Sequence, residues 1–468
     1  MKWDDFPEWG ARVSEWAADY HRTVGDRPVR AQVAPGDVLN ALPVTPPEMA
    51  EPLEQVFQDF EQIVMPGITH WQHPRFFAYF ASNAAPASVL AEFLASALAP
   101  QCMLWQTSPA ATEMETRMMD WLRQALGLPE PFQGVIQDSA SSATLAAVLT
   151  MRERALDWAG NARGLAGGPQ LRVYSSTEVH TSIDRAIWIS GIGAENLVRV
   201  PIAGEWRGMD PEALERAIKA DLDAGRVPAG VILCVGGTGT GATDPVAACL
   251  KVARKYDLYT HVDAAWSGSA MICPEYRHMW EGVEAADSIV FNPHKWLGVQ
   301  FDCSAHFLRD PDSLVKTLAI SPEYLKTHGA DGIINYSEWS VPLGRRFRAL
   351  KLWFVLRAYG LEALRQRLRN HIDWSRELHD RLAAEPDFEI VTAPMWSLFT
   401  FRYTGRGDLD AVNQALINAI NDDGRIYLTQ TRVDGDLVIR FQAGQFDATR
   451  EDVMMAYDVI TEIARATQ

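Results

Sequence analysis

Lys295 lies in VFNPHKWLG (290–298), a cation placed where an apolar run ends and beside a tryptophan. In an apolar pocket an amine's pKa falls, and a neutral amine is a nucleophile. Other polar groups follow apolar runs in the same way. Asp263 follows LYTHV in HVDAAWSGSA, where the flanking alanines and glycine leave room for a flat ligand. His180 follows LRVYSS in TEVHTS, and Thr238 lies in the glycine-rich GGTGTGATD after GVILCV. DSASSATLAAVL follows GVIQ and opens a helix on small hydroxyl residues, whose free N–H groups and macrodipole suit a phosphate. Asn292 and His294 approach Lys295 from its own segment. Singly, each has an ordinary explanation: a strand-end Asp caps a turn, a Ser-rich helix start caps the helix, and a lysine snorkels to solvent. Five matching roles at five strand ends are far harder to obtain by accident.

One cofactor needs these parts together. Pyridoxal phosphate requires a lysine for its Schiff base, a carboxylate to keep its ring nitrogen protonated, a helix N-terminus for its phosphate and a residue against its ring face. Two other readings compete. Gly237, Gly239 and Ala242 fit G-x-G-x-x-A after a strand, with Asp263 ending the next one, which would predict an NAD-dependent dehydrogenase. That fingerprint normally opens a domain's first βαβ unit, whereas this loop follows three earlier strand candidates and leaves Lys295, His180 and DSASSATL without work. HWQH (70–73) suggests metal ligands, but no acidic or histidine partner follows at useful spacing, so an aromatic pocket wall and no metal are expected. An inactive scaffold relative would be expected to have lost the lysine or the aspartate.

The elements that must position these groups show in the hydropathy pattern. From about 86 to 310, LRVYSS (171–176), NLVRVPI (196–202), GVILCV (230–235), LYTHV (258–262) and SIVFN (288–292) alternate with helical stretches such as DPEALERAIKADLDAG and DPVAACLKVARKY. Near-continuous apolar strands separated by helices predict a mostly parallel sheet covered on both faces, with ligands at the carboxyl ends of its strands. Residues 1–85 read as helices broken by prolines and unlike a unit that folds alone. After about 345 come one or two long helices, then FEIVTA, LFTFRYT and LVIRFQA alternating like an antiparallel sheet. The expected organisation is an N-terminal helical arm (1–85), a large α/β domain (86–360) and a small α+β domain (361–468).

Of the 468 residues, 47% are hydrophobic and 22% charged, an ordinary globular balance, and the net charge of −17 argues against nucleic acid or an anionic membrane surface as a partner. Five scattered cysteines predict reduced thiols and a cytoplasmic protein. Neither a signal peptide nor a membrane span is expected.

HVDAAW followed by NPHKW resembles the group II pyridoxal-phosphate decarboxylases, in their aromatic-L-amino-acid (dopa) decarboxylase branch. The resemblance extends through THWQHPRFFAYF (69–80), TSPAATEMETRMMDWL (107–122), GVIQDSASSATL (134–145), CPEYRHMWEGVEAADS (273–288), FNPHKWLGVQFDCSAHF (291–307) and VPLGRRFRALKLWFVLRAYG (341–360). It implies the type I pyridoxal-phosphate fold as a homodimer with active sites at the interface and the N-terminal arm packed on the partner. It also implies roles. Lys295 would hold the cofactor, Asp263 pair with its ring nitrogen, and His180 stack on the ring. Ser139, Ala140, Ser141 and Asn292 would bind the phosphate, with Thr238, Ala265 and His294 also at the cofactor. Trp71, Tyr79, Phe80, Ser82, Met103 and Gly344 would face the substrate.

LKTHGADGIINYSEWSVPLG (325–344) reads as a mobile lid. In the family a tyrosine on it protonates the substrate's α-carbon after carbon dioxide leaves, and Tyr336 matches that position. Relatives with phenylalanine there make an aldehyde instead, because without a proton donor the carbanion meets oxygen. The expected activity is decarboxylation of an aromatic L-amino acid (dopa, tyrosine, phenylalanine, tryptophan or 5-hydroxytryptophan) to the amine, with aldehyde synthesis as the alternative. Asp138 departs from the glycine common before the phosphate-binding serines, and Ala81 and Ser82 stand where animal enzymes tend to have Pro-Thr. Gly344 resembles dopa- and tryptophan-accepting members.

Overall fold

The computed structural model describes residues 1–320 and 332–466. Its larger sheet has seven strands. In chain order come β1 (Gln133–Gln137), β2 (Leu171–Ser176) and β3 (Leu197–Val200). A separate two-stranded ribbon, β4 (Ile202–Ala203) and β5 (Gly208–Met209), intervenes. Then follow β6 (Val227–Cys234), β7 (Tyr259–Asp263), β8 (Ser288–Phe291) and β9 (Ser304–Leu308). The spatial order is β1-β9-β8-β7-β6-β2-β3. Pairs from β3 through β8 are parallel, while β9 runs antiparallel to both β8 and β1. β7 and β8 are buried at every position, as strands covered on both faces must be.

The five apolar runs all contain strands, although NLVRVPI gives only the short β3 before the chain breaks at Pro201. The expectation missed β9. The segment between Phe291 and Ser304 carries only the short helical turn Pro293–Trp296, not the full-length crossover helix that usually joins parallel strands, and β9 comes back antiparallel. Because β1 opposes β9 and β9 opposes β8, the carboxyl ends of β1, β2, β6, β7 and β8 all reach one edge. Every residue singled out for chemistry on those strands follows at that edge.

Four strands form the second sheet: β10 (Phe388–Met395), β11 (Leu398–Tyr403), β12 (Thr429–Val433) and β13 (Asp436–Gln442), in the order β10-β11-β13-β12. β12, at the sheet's edge, reads TQTRV and is too polar to stand out in the sequence. Asp434 and Gly435, both with positive φ, turn it antiparallel into β13. The long helix Arg348–Ala383 carries a kink at Gly360 (φ 69°), so both expected helices exist as one bent element.

Contacts divide the chain into two compact units, Met1–Ala81 with Asp373–Thr392 and Phe399–Gln468, and Ser82–Ile372 with Ala393–Leu398. The three expected segments are therefore not three contact units. Residues 1–81 join the C-terminal part because Phe77 enters the same core as Phe399, Phe401 and Phe441, with the Phe77 and Phe441 rings 4.7 Å apart. Among the described residues, no helix is long and apolar enough to cross a membrane.

Candidate active site

Asp263, the last residue of β7, is buried, and its register partner on β6 is Cys234. Its Oδ1 accepts the Ala265 N–H at 3.0 Å. Burial pushes its carboxyl above the usual range, and the nearby Lys295, the Ala265 N–H and His180 oppose that push. Lys295 stands just past the end of a strand, as its apolar prefix suggested. It sits on a helical turn, Pro293–Trp296, directly after β8. The Ala264 N–H donates to Val290 (2.9 Å), Asn292 N–H to Ala265 (2.8 Å) and Lys295 N–H to Asn292 (2.9 Å), so backbone bonds lace the segment after Asp263 to the one bearing Lys295. Trp296 stacks on Trp266 at 4.7 Å and donates its indole N–H to His371 Nδ1 at 2.9 Å, closing the turn's inner side with apolar rings.

His180 follows β2 on an exposed turn. Its Nδ1 accepts the Ser182 N–H at 3.1 Å, so a neutral ring carries its proton on Nε2. Desolvation lowers its pKa and Lys295 adds to that, while Asp263 pulls it back up. The structure thus brings Asp263, Lys295 and His180 within electrostatic reach of one another. Asn292, also buried, accepts the Ser304 hydroxyl on Oδ1 at 2.5 Å, which turns its amide N–H groups away from Ser304. Ser139 caps the helix Ala140–Ala155, accepting the Ser142 N–H at 3.2 Å. Ala140 and Ser141 form that helix's first turn. Asp138 Oδ1 accepts the Ser139 hydroxyl at 3.2 Å, a bond made to the chain and not to solvent. His294 Nδ1 accepts the Cys303 N–H at 2.9 Å, and burial lowers its pKa to about 3, so this ring is neutral and anchors the loop to β9.

The loop carrying Thr238 is no nucleotide cradle. Gly236 and Gly237 both donate their N–H groups to Ala242, and Gly241 donates to Gly237. The next helix begins only at Val246, so no helix N-terminus follows the glycines directly. Gly236 has φ +78°, and a Cβ there would lie 2.6 Å from Ser267 Cβ; a Cβ on Gly237 would lie 2.9 Å from the Glu178 carbonyl. The glycines allow close packing against the neighbouring turns.

Three segments of the same unit gather Met103, Tyr336 and Gly344. Cys102 N–H donates to Arg345 (3.0 Å), Ser337 N–H to Met103 (3.0 Å), and Trp105 N–H to Asn335 Oδ1 (3.1 Å). Tyr336 is buried, its hydroxyl 2.9 Å from that of Thr116 and its ring 5.4 Å from the Arg345 guanidinium. Burial raises its phenol pKa well above the ordinary value. Residues 325–331 of the expected lid lie outside the described residues. In the other unit Trp71 packs on Phe76 (4.4 Å) and Tyr79 (5.9 Å), and Phe80 lies under Arg440. Trp71 and Tyr79 keep exposed faces, while Ser82 begins the first stretch of the larger unit. In HWQH, His70 Nδ1 meets the Tyr20 hydroxyl and His73 Nδ1 accepts the Arg75 N–H, both at 3.0 Å.

Two supporting residues escaped the sequence reading. Glu178 accepts Thr240 and Arg207, both at 3.0 Å, and so ties the His180 turn to the glycine loop. Its place two residues before His180 was the available signal. Asn83 donates its amide to the Lys295 carbonyl and its N–H to the His294 carbonyl (3.3 Å), clamping the lysine's turn; nothing in the sequence marks it.

The donor set fits pyridoxal phosphate. A carboxyl group raised by burial gains most from a buried cation such as a protonated ring nitrogen. A lysine lies within its field, and a helix N-terminus and a directed amide stand at the same sheet edge. The pyridoxal-dependent decarboxylase conserved domain matches residues 35–404. The chain is 40% identical to phenylacetaldehyde synthase of Arabidopsis thaliana, covering 99% of this chain and 96% of that protein. It is 40% identical to tyrosine decarboxylase 2 of the same plant, covering 98% and 86%. The structure of Oryza sativa TDC with pyridoxal phosphate and tryptamine superposes with a TM-score of 0.96 at 35% identity, over 100% of this chain and 99% of that one. With that architecture, that donor set and a match across most of its length, the chain belongs to the pyridoxal-dependent decarboxylase family.

Proposed function

We propose that the protein decarboxylates an aromatic L-amino acid to its amine and carbon dioxide. Relatives named as aldehyde synthase and as decarboxylase are equally similar overall, so whole-chain identity does not choose between the two reactions. The observation that carries the choice is the phenol of Tyr336. Burial keeps it protonated throughout the neutral range, the state a proton donor needs, and it stands on the segment stitched to Met103 beside Gly344.

Lys295 would carry the cofactor covalently and Asp263 would hold its ring nitrogen protonated. Ser139, Ala140, Ser141 and Asn292 would take its phosphate, His180 its ring face, and Thr238, Ala265 and His294 the remaining walls. Bound there, pyridoxal phosphate supplies an electron sink for the bond that breaks at the substrate's α-carbon. The neutral His180 ring, protonated on Nε2, presents a flat face without a second full charge. Trp266 and Trp296 exclude water behind Lys295. Tyr336 would deliver a proton to the α-carbon, which needs its segment to approach the substrate. Trp71, Tyr79, Phe80, Ser82, Met103 and Gly344 would receive the aromatic side chain.

The proposal includes a homodimer. The helix Pro86–Leu98 exposes Leu90, Phe93, Leu94 and Leu98, an apolar stripe that a second copy would cover. Five buried, unpaired cysteines suit a reducing, cytoplasmic setting. The deciding experiment supplies dopa, tyrosine, phenylalanine, tryptophan, 5-hydroxytryptophan and histidine separately and identifies the products, with size in solution measured on the same sample. Amine and carbon dioxide without hydrogen peroxide is the expected result. Aldehyde with stoichiometric peroxide would overturn the reaction, and a fully active 52.1 kDa species would overturn the dimer.

A further inference from the structure

We propose that Asp138 sets how tightly this chain holds its cofactor, by weakening the phosphate site at the start of the helix Ala140–Ala155. The inference rests on the proposed reading that the phosphate binds at that helix start.

The hydrogen bonds of Ser139 come first. Its oxygen already accepts the Ser142 N–H at 3.2 Å, which caps the helix. A serine hydroxyl has a single proton to give. The acceptors beside it are Asp138 Oδ1 at 3.2 Å and Ser142 Oγ at 3.3 Å. Both hydrogen-bonding functions of Ser139 are thereby spent within the chain, and its proton is directed to an anion that no phosphate can displace without cost. A bound phosphate then relies on the backbone N–H groups of the helix start, the Ser141 hydroxyl and the Asn292 amide.

Charge adds to this. Asp138 is half-buried, one residue before the cap. The cation that feels it is Arg348, whose Nε is already 2.6 Å from Asp302 Oδ1. One guanidinium thus serves two carboxylates. The next cation on that helix, Lys351, stands 3.1 Å from Glu92. The Asp138 carboxylate, one residue before the cap and sharing Arg348 with Asp302, therefore opposes the attraction of the helix N-terminus for a phosphate. Its consequence is a protein that exchanges cofactor readily and passes between apo and loaded forms as cofactor supply changes.

The test titrates apo protein with pyridoxal phosphate, following the absorbance of the lysine-linked cofactor, for the unaltered chain, Asp138→Asn and Asp138→Gly. Asp138→Asn keeps an acceptor for Ser139 while removing the charge, so it carries the test should Asp138→Gly disturb the helix start. Asp138→Asn should tighten cofactor binding about tenfold at low salt, the scale of one partly screened charge pair, and by less at high salt. Asp138→Gly should tighten it at least as far. Inorganic phosphate, used as a competitor, should gain in parallel, and pyridoxal without its phosphate should bind all three proteins alike. Unchanged cofactor affinity in both variants would overturn the proposal, as would an equal gain for pyridoxal. Failure of the underlying reading looks different: pyridoxal would bind as tightly as its phosphate ester, or Lys295→Ala would keep the linked-cofactor absorbance.

Discussion

The residues expected at the cofactor and the residue expected to choose the reaction are held in place by different means. Asp263 is a sheet residue in fixed register with Cys234, and main-chain bonds from Ala264, Asn292 and Lys295 carry that order to the lysine's turn. Tyr336 also belongs to a segment bonded through its backbone, but its ring and hydroxyl are placed by side chains: Thr116, Arg345 and Trp339 at 5.7 Å. Backbone placement survives most substitutions nearby, whereas side-chain placement turns on single atoms. This difference gives a physical reason why one fold accommodates both decarboxylases and aldehyde synthases among the chain's relatives. On the proposed reading, the cofactor end is built into the sheet and the outcome turns on one hydroxyl.

The largest break in that comparison should come at the lysine. Lys295→Ala should abolish the linked-cofactor absorbance and turnover together, because no other group replaces its amine. Asp263→Asn should leave the lysine–cofactor linkage in place yet lower turnover roughly a hundred- to a thousandfold, the scale lost with a preorganised charge at a reacting centre. Absorbance spectra and amine release read the two effects separately. An Asp263→Asn protein as active as the original would remove the ring-nitrogen role.

Tyr336→Phe comes next and probes the other side. It removes one oxygen and the bond to Thr116 while keeping the buried ring. Amine formation should fall about a hundredfold, in the range of a lost general acid. Aldehyde and hydrogen peroxide should appear, with cofactor affinity unchanged. Amine output equal to that of the unaltered protein would end the proton-donor assignment.

The contrast also explains what could be read from the sequence. Asp263 and the strand before Lys295 were legible because a buried parallel strand is a continuous apolar run, and a polar residue at its end is conspicuous. The turn that actually carries Lys295 was not, since Pro293 and His294 fit an irregular loop as well as a helical turn. β9 hid inside SAHFL because its partners, not its composition, make it a strand. Glu178 and Asn83 act through contacts with residues far along the chain, Thr240 and Lys295. Single-sequence periodicity carries no record of such pairs. Tyr336 was recognised through family resemblance, while its bond to Thr116, 220 residues away, needed the fold.

The smallest expected effect concerns acid. Burial holds His73, His294, His306 and His371 at about 3, and His261 well below its ordinary value. In the unfolded chain each titrates near 6.5. Between those values the unfolded chain binds more protons, so the stability these groups contribute is complete above about pH 6.5 and is lost as pH falls towards 3. Asp244, raised by burial to about 6, and Asp263, also raised, work the other way by taking up protons in the folded state over part of that range. Five histidines outnumber two carboxyls, and the midpoint of urea unfolding should fall as pH drops from 7 to 5. His306 offers a clean check, because its partner Ser288 keeps a second bond to His261. His306→Gln should flatten the slope by about one proton, worth about 1.4 kcal/mol per pH unit where that group titrates. The ratio of amine to aldehyde should stay constant over the same interval, since the Tyr336 phenol remains protonated throughout it. A ratio that drifts with the histidine titration would show that the two regions are coupled.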